Sequence, residues 1–157
     1  MSLCFMLVAA DALGISGPYV AAYDVAQHRL ARRMWPLYRG TKNRRAIGPD
    51  DRVLIYVGGT RVFKQTFVAS ARVQAVEAAP RRAFIIDPPN ALTDAPDKII
   101  RLDDVVRLDP PISLRPLLGR LEFLPRSKNW GAIIAGGCRR MGTKDFMKIL
   151  EGDANEP

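Results

Sequence analysis

From Thr66 to Val76 the side chains alternate with the two-residue period of an extended strand. Phe67, Ala69, Ala71 and Val73 fall to one side, and Val68, Ser70, Arg72 and Gln74 to the other. A strand apolar on one face belongs to an antiparallel sheet that buries that face. Its partners must come from the other apolar runs. Leu3–Ala10 and Val53–Val57 have strand length, Ala83–Ile86 and Cys138–Met141 are shorter, and Lys98–Leu108 reads as a strand with a bend at Asp103-Asp104.

Three helices are expected. Gly17-Pro18 opens the first, with Tyr19, Tyr23, Ala26, Leu30 and Met34 on one face and Arg29, Arg32 and Arg33 beside it. Trp35-Pro36 would end it, because a residue before proline avoids helical backbone. Ser113 is read as the cap of a short helix Leu114–Leu118, and Thr143 as the cap of a final one. In that last helix Asp145 suits the first turn, and Phe146, Ile149 and Leu150 form the inner face. Pro36–Pro49 and Asp87–Asp97 read as loops. This order does not supply parallel crossovers. The expected fold is α+β: a small mixed, mainly antiparallel β-barrel with flanking helices.

The chain has 157 residues, enough for one core without staples, and is expected to form a single domain over 1–152 with a frayed tail at 153–157. No apolar stretch reaches membrane-spanning length, and no basic residue precedes Leu3–Ala10 as it would in a secretory signal. The two cysteines, Cys4 and Cys138, are too few for a disulfide framework, and a cytoplasmic setting is expected. The single histidine, His28, leaves little room for metal or triad chemistry, so no cofactor, no metal and no catalysis are expected. Gly40-Thr41-Lys42 and Gly58-Gly59-Thr60 lack the spacing of a phosphate loop. Asp50-Asp51 and Asp103-Asp104 read as solvated turn acids.

The net charge of +8 is unevenly spread. Arg29–Arg45 holds seven basic residues and Phe123–Lys144 holds five, neither window has an acid, and each contains one of the two tryptophans. Such segments suit a polyanion bearing flat rings: cations neutralise phosphates and an indole stacks on a base. A basic solvated surface with two structural tryptophans is the alternative. Trp130, beside Asn129 and Ser127, either walls a base pocket or plugs the barrel end. Trp35 is either the opposing wall or a cap over the barrel mouth, with Tyr38 a further candidate in the same loop. Arg39, Lys42, Arg44, Arg45, Arg126, Lys128 and Arg139 are the candidate phosphate contacts. Tyr56 is assigned to the core.

Several of these residues resemble the signature of the EVE domain family. Leu117-Leu118-Gly119-Arg120-Leu121-Glu122-Phe123-Leu124, Asn129-Trp130-Gly131 and then Asp145-Phe146 with Ile149 match its C-terminal pattern in order and spacing. Trp35, a basic stretch, a turn ending in Asp51 and the strand Val53–Val57 resemble its middle block, with Asp50 where the family has a turn glycine. The resemblance covers roughly residues 30–75 and 112–150. It implies a PUA-like fold, related to PUA and YTH domains. It also implies a non-catalytic module that reads a modified base of DNA or RNA in an aromatic pocket. An RNA- or nucleotide-processing enzyme, or a protein-interaction domain with a basic surface, are the alternatives.

Overall fold

The computed structural model describes residues 2–13, 19–79, 96–124, 130–131 and 136–151. The strand expected at Ala83–Ile86, most of the loop Asp87–Asp97, the candidate residues Arg126, Ser127, Lys128 and Asn129, and the tail 153–157 lie outside them.

The elements are β1 (Cys4–Ala9), β2 (Ala12–Leu13), β3 (Tyr19–Val20), α1 (Ala22–Arg32), β4 (Met34–Leu37), β5 (Arg52–Val57), β6 (Thr66–Ala78), β7 (Lys98–Ser113), a 3-10 turn (Arg115–Leu117), β8 (Cys138–Met141) and α2 (Thr143–Glu151). Six strands form one sheet in the order β4-β7-β6-β5-β1-β8. β1 and β5 run parallel, and the other neighbours in that sheet are antiparallel. The fold is therefore α+β on a mixed, mainly antiparallel sheet. Its two edges are joined by the turn after β4: Lys42 N–H donates to Gly136 O at 3.0 Å, and Asn43 Nδ2 to Cys138 O at 3.0 Å. That stitch curls the sheet.

The central strands β1 and β5 bury both faces. Phe5, Leu7, Val53, Ile55, Val57, Ala71, Val73, Ile100 and Leu102 form the inner cluster, closed by Ala22, Ala26 and Leu30 of α1. Met6, Leu54, Tyr56 and Met141 face outward and are covered by Leu114, Leu117, Leu121, Leu124 and the α2 residues Phe146 and Ile149. Full burial of such side chains stabilises by about 1.5–3 kcal/mol each.

Several local expectations are corrected. α1 begins at Ala22, and Tyr19 belongs to a strand pairing with Leu13. The helix ends when Arg33 takes left-handed backbone, φ 54°, its N–H bonding back to Leu30 O. Trp35-Pro36 is not the stop; both lie in β4, where proline is tolerated because β4 is the sheet edge. Phe67 leaves its alternation partners: register shifts around it put Phe67 in the outer cluster and Val68 with Ala69 in the inner one. β7 continues through Ser113, so no helix capped by Ser113 forms, only the 3-10 turn.

The turn acids also have partners. Asp51 is buried and accepts from Leu3 N–H and Gly48 N–H, both at 2.8 Å. Arg72 binds both carboxylate oxygens of Asp103, at 2.9 and 2.6 Å, and Asp50 at 2.6 Å, with Asp104 3.5 Å away. Asp103 and Asp50 raise the arginine's pKa, the Asp103 hydrogen bond foremost. The cluster clamps the β6–β7 irregularity at Asp104, whose φ is 49°.

Burial pushes the Cys138 thiol up to about 12. Thiols in unfolded chains ionise near about 8.5. Above that pH the unfolded chain releases a proton that the folded chain retains, so stability falls as pH rises toward the folded value. Below it the thiol is neutral in both states and adds no pH dependence. Cys138→Ala is expected to flatten the alkaline loss of stability in urea titrations between about pH 8.5 and 10.5. An unchanged slope would refute the assignment.

Candidate nucleic-acid interface

The two indoles do not share a hollow. Along β4, Trp35 and Leu37 point inward while Met34 packs with Ile99 elsewhere. Trp35 is 2% exposed, and the guanidinium of Arg29 stands 4.6 Å over its ring. Arg29, expected beside the helix face, is buried there. Trp130 packs half-buried on the outer cluster, on the other face of the sheet. Trp35 is therefore a core residue and is removed from the pocket. Tyr38 is half-buried, its backbone N–H held by Thr41 Oγ1 at 2.9 Å.

Trp130 lines a hollow of about 240 Å³ with Val8, Ala10, Tyr56, Gly58, Gly59, Gln65 and Gly131. The sheet supplies the floor. In β5, Leu54 and Tyr56 alternate outward, and the Tyr56 ring meets Phe67 edge-on at 5.3 Å. Tyr56 is fully buried, and among the described residues its hydroxyl has no hydrogen-bond partner. Burial raises that hydroxyl's pKa well above the ordinary range, with Arg115 partly opposing, so it stays protonated as a donor. A buried hydroxyl left without a partner is costly, and a polar ligand atom would relieve it.

The turn after β5 also lines the hollow, through Gly58, Gly59 and Gln65. Asp11 secures it, accepting from Thr60 N–H at 3.2 Å and Thr60 Oγ1 at 3.4 Å while also accepting from Ala22 N–H at the start of α1. Gly59 is required there. Its φ is 69°, and a Cβ would sit 2.3 Å from the Asp11 carboxylate. Gln65 Oε1 accepts from Arg115 Nε at 2.7 Å. Sequence reasoning set Gly58-Gly59-Thr60 aside as no phosphate loop and gave it no other role; a glycine pair directly after a strand was the available signal.

The two basic windows do meet, at the stitched sheet edge. Lys42 is exposed, and its stem lies against Gly136, where a Cβ would be 2.8 Å from Lys42 Cδ. Gly137 O accepts from Val8 N–H, the same Val8 that lines the Trp130 hollow. Asn43, Arg139 and Arg140 line a second groove of about 610 Å³ with Thr143 and Gly142 at the start of α2. Arg139 is half-buried, and its Nε has no acceptor among the described residues. Of that groove's acids, Asp145 is committed to the N–H groups of Glu122 and Phe123, and Glu122 lies 3.7 Å from Lys144. Arg39 and Arg45 are exposed, but Arg44 is structural: its Nε donates to Arg39 O, and it lies 3.6 Å from Asp97. Among the described residues no group of three His, Cys, Asp or Glu side chains could hold a metal, and no helix is long and apolar enough to cross a membrane.

No protein-family model matches the chain, and no curated protein matches it. Solved structures do. A hypothetical protein from Leishmania major is 14% identical with a TM-score of 0.59, over 96% of this chain and 94% of that one. Protein Atu2648 from Agrobacterium tumefaciens is 15% identical with a TM-score of 0.53, over 99% and 97%. The N-terminal domain of McrB from Staphylothermus marinus is 10% identical with a TM-score of 0.50, over 96% and 94%. At such identities the likeness concerns the fold alone: an α+β domain on a mixed sheet is what this chain shares with them.

Proposed function

We propose that this chain is a nucleic-acid-binding domain of the PUA-like class that holds one modified base of DNA or RNA against Trp130. The fold shared with the McrB N-terminal domain is compatible with that class. The observation that carries the reading is the hollow itself: a half-buried indole beside a buried hydroxyl that lacks a partner among the described residues, next to a basic edge. The indole stacks a flat ring, the Tyr56 hydroxyl donates to its edge, and Lys42, Arg139 and Arg140 meet phosphates. Binding without turnover is part of this proposal: an indole, a phenol and a glycine turn suit stacking of a flat ring.

Trp130→Ala is expected to weaken oligonucleotide binding roughly 10- to 100-fold, the worth of one stacked base. It should also erase any preference for modified over plain cytosine or adenine. Lys42→Ala should weaken all sequences alike and lower the slope of log K against log salt by about one. Fluorescence titrations at two salt concentrations read both. Loss of neither affinity nor discrimination in Trp130→Ala overturns the site, and absence of salt-sensitive oligonucleotide binding points instead to an acidic protein partner.

A further inference from the structure

The turn between β5 and β6, residues 58–65, has a second feature. Val62 and Phe63 at its tip are 53% and 43% exposed, adjacent members of the few large exposed hydrophobics among the described residues. Phe63 and Gln65 hold left-handed backbone, φ 56° and 59°, which is unfavourable for a non-glycine residue. The conformation persists because it is held from several sides. The Tyr23 ring backs Phe63 at 4.7 Å, Lys64 N–H closes onto Arg61 O at 3.1 Å, and Gln65 N–H donates to Val57 O at 2.7 Å. Strain of this kind persists where the surroundings enforce it, commonly at functional positions. Arg61 and Lys64 flank the apolar pair, and no acid lies between Thr60 and Gln65. The same turn supplies Gly58, Gly59 and Gln65 to the Trp130 hollow.

We infer that this turn is a wedge for double-stranded nucleic acid. Val62 and Phe63 enter the base stack at the step vacated when a base turns out into the Trp130 hollow, and Arg61 and Lys64 face the flanking phosphates. The inference rests on the reading of that hollow as a base site. Extruding a base from a duplex costs stacking and pairing, and an apolar side chain filling the gap offsets part of that loss. The cationic flanks favour a polyanion over an apolar protein surface as the occupant of this tip. One short turn thus joins the part that opens the stack to the part that receives the base.

The test uses the full chain carrying Val62→Ser and Phe63→Gly; glycine accepts the φ of 56° without strain, so the turn keeps its course. Affinity is measured for a single-stranded DNA, for its duplex, and for a duplex whose target base faces an abasic site. The expected result is a loss of about tenfold or more on the intact duplex, which is about 1.4 kcal/mol. The single strand should change less than about twofold, and the abasic-opposed duplex should regain affinity, because its base is already unpaired. Equal loss on single strand and duplex, no loss on either, or a wild-type chain that ignores duplexes overturns the wedge. Trp130→Ala separates the two claims: if it leaves single-strand affinity intact, the base site itself fails.

Discussion

Trp35→Ala is expected to lower the unfolding free energy by about 3–5 kcal/mol, the usual cost of removing a large aromatic from a packed core. The indole is 2% exposed within the inner cluster, and its loss also strips Arg29 of the ring beneath its guanidinium. Arg29 would remain buried over a cavity, which adds to the cost. Urea unfolding reads the effect, which should appear as a lower midpoint with little change in m. The diagnostic is the split between stability and binding. A pocket-wall tryptophan loses ligand and keeps stability; Trp35 should do the reverse, with Trp130→Ala showing the opposite pattern. A Trp35→Ala protein of wild-type stability that no longer binds oligonucleotide would refute the placement.

Asp145→Ala should cost about 2–4 kcal/mol. The side chain is 1% exposed, and its two oxygens accept from Glu122 N–H at 3.0 Å and Phe123 N–H at 2.9 Å. Hydrogen bonds to a charged group are worth about 1.5–3 kcal/mol each, and removal of this carboxylate orphans two backbone donors at once. It also sits in the first turn of α2, where a negative charge is favoured. The clasp ties α2 to the segment 121–124, which packs in the outer cluster together with Trp130. Asp145→Ala should therefore reduce binding as well as stability, while Asp145→Asn, retaining one acceptor, should fall between. Calorimetry on the three proteins orders them; a wild-type Tm for Asp145→Ala would remove the clasp from the account.

That clasp gives a physical basis to part of the resemblance in the sequence. In Asp145-Phe146 with Ile149, the acid holds the preceding segment and the two apolar residues fill the outer cluster. Asp51 plays a comparable part at the other end of the chain, joining the start of β1 to the turn before β5. Both were legible as positions but not as partners. A sequence shows an acid near a helix start or a turn, and only proximity in space shows which distant N–H groups it accepts.

Strand periodicity and charge placement were readable directly. β1, β5, β6 and β8 fall where apolar runs or alternation put them, because side-chain direction along a strand follows from backbone geometry alone. The charge pattern left open whether the two acid-free windows meet; in the fold, Lys42 and Asn43 of one contact residues 136–138 of the other. Which face each tryptophan occupies was not readable. Trp35 turns inward because α1 stops early at a left-handed Arg33 and releases Met34–Leu37 into the sheet. Phe67 turns outward because irregular pairing breaks its alternation. Local pattern thus determined the strands and their charge, which depend on neighbours a few residues apart. Register, bulges and long-range hydrogen bonds decided what the hollow contains, since those terms depend on segments distant in the sequence.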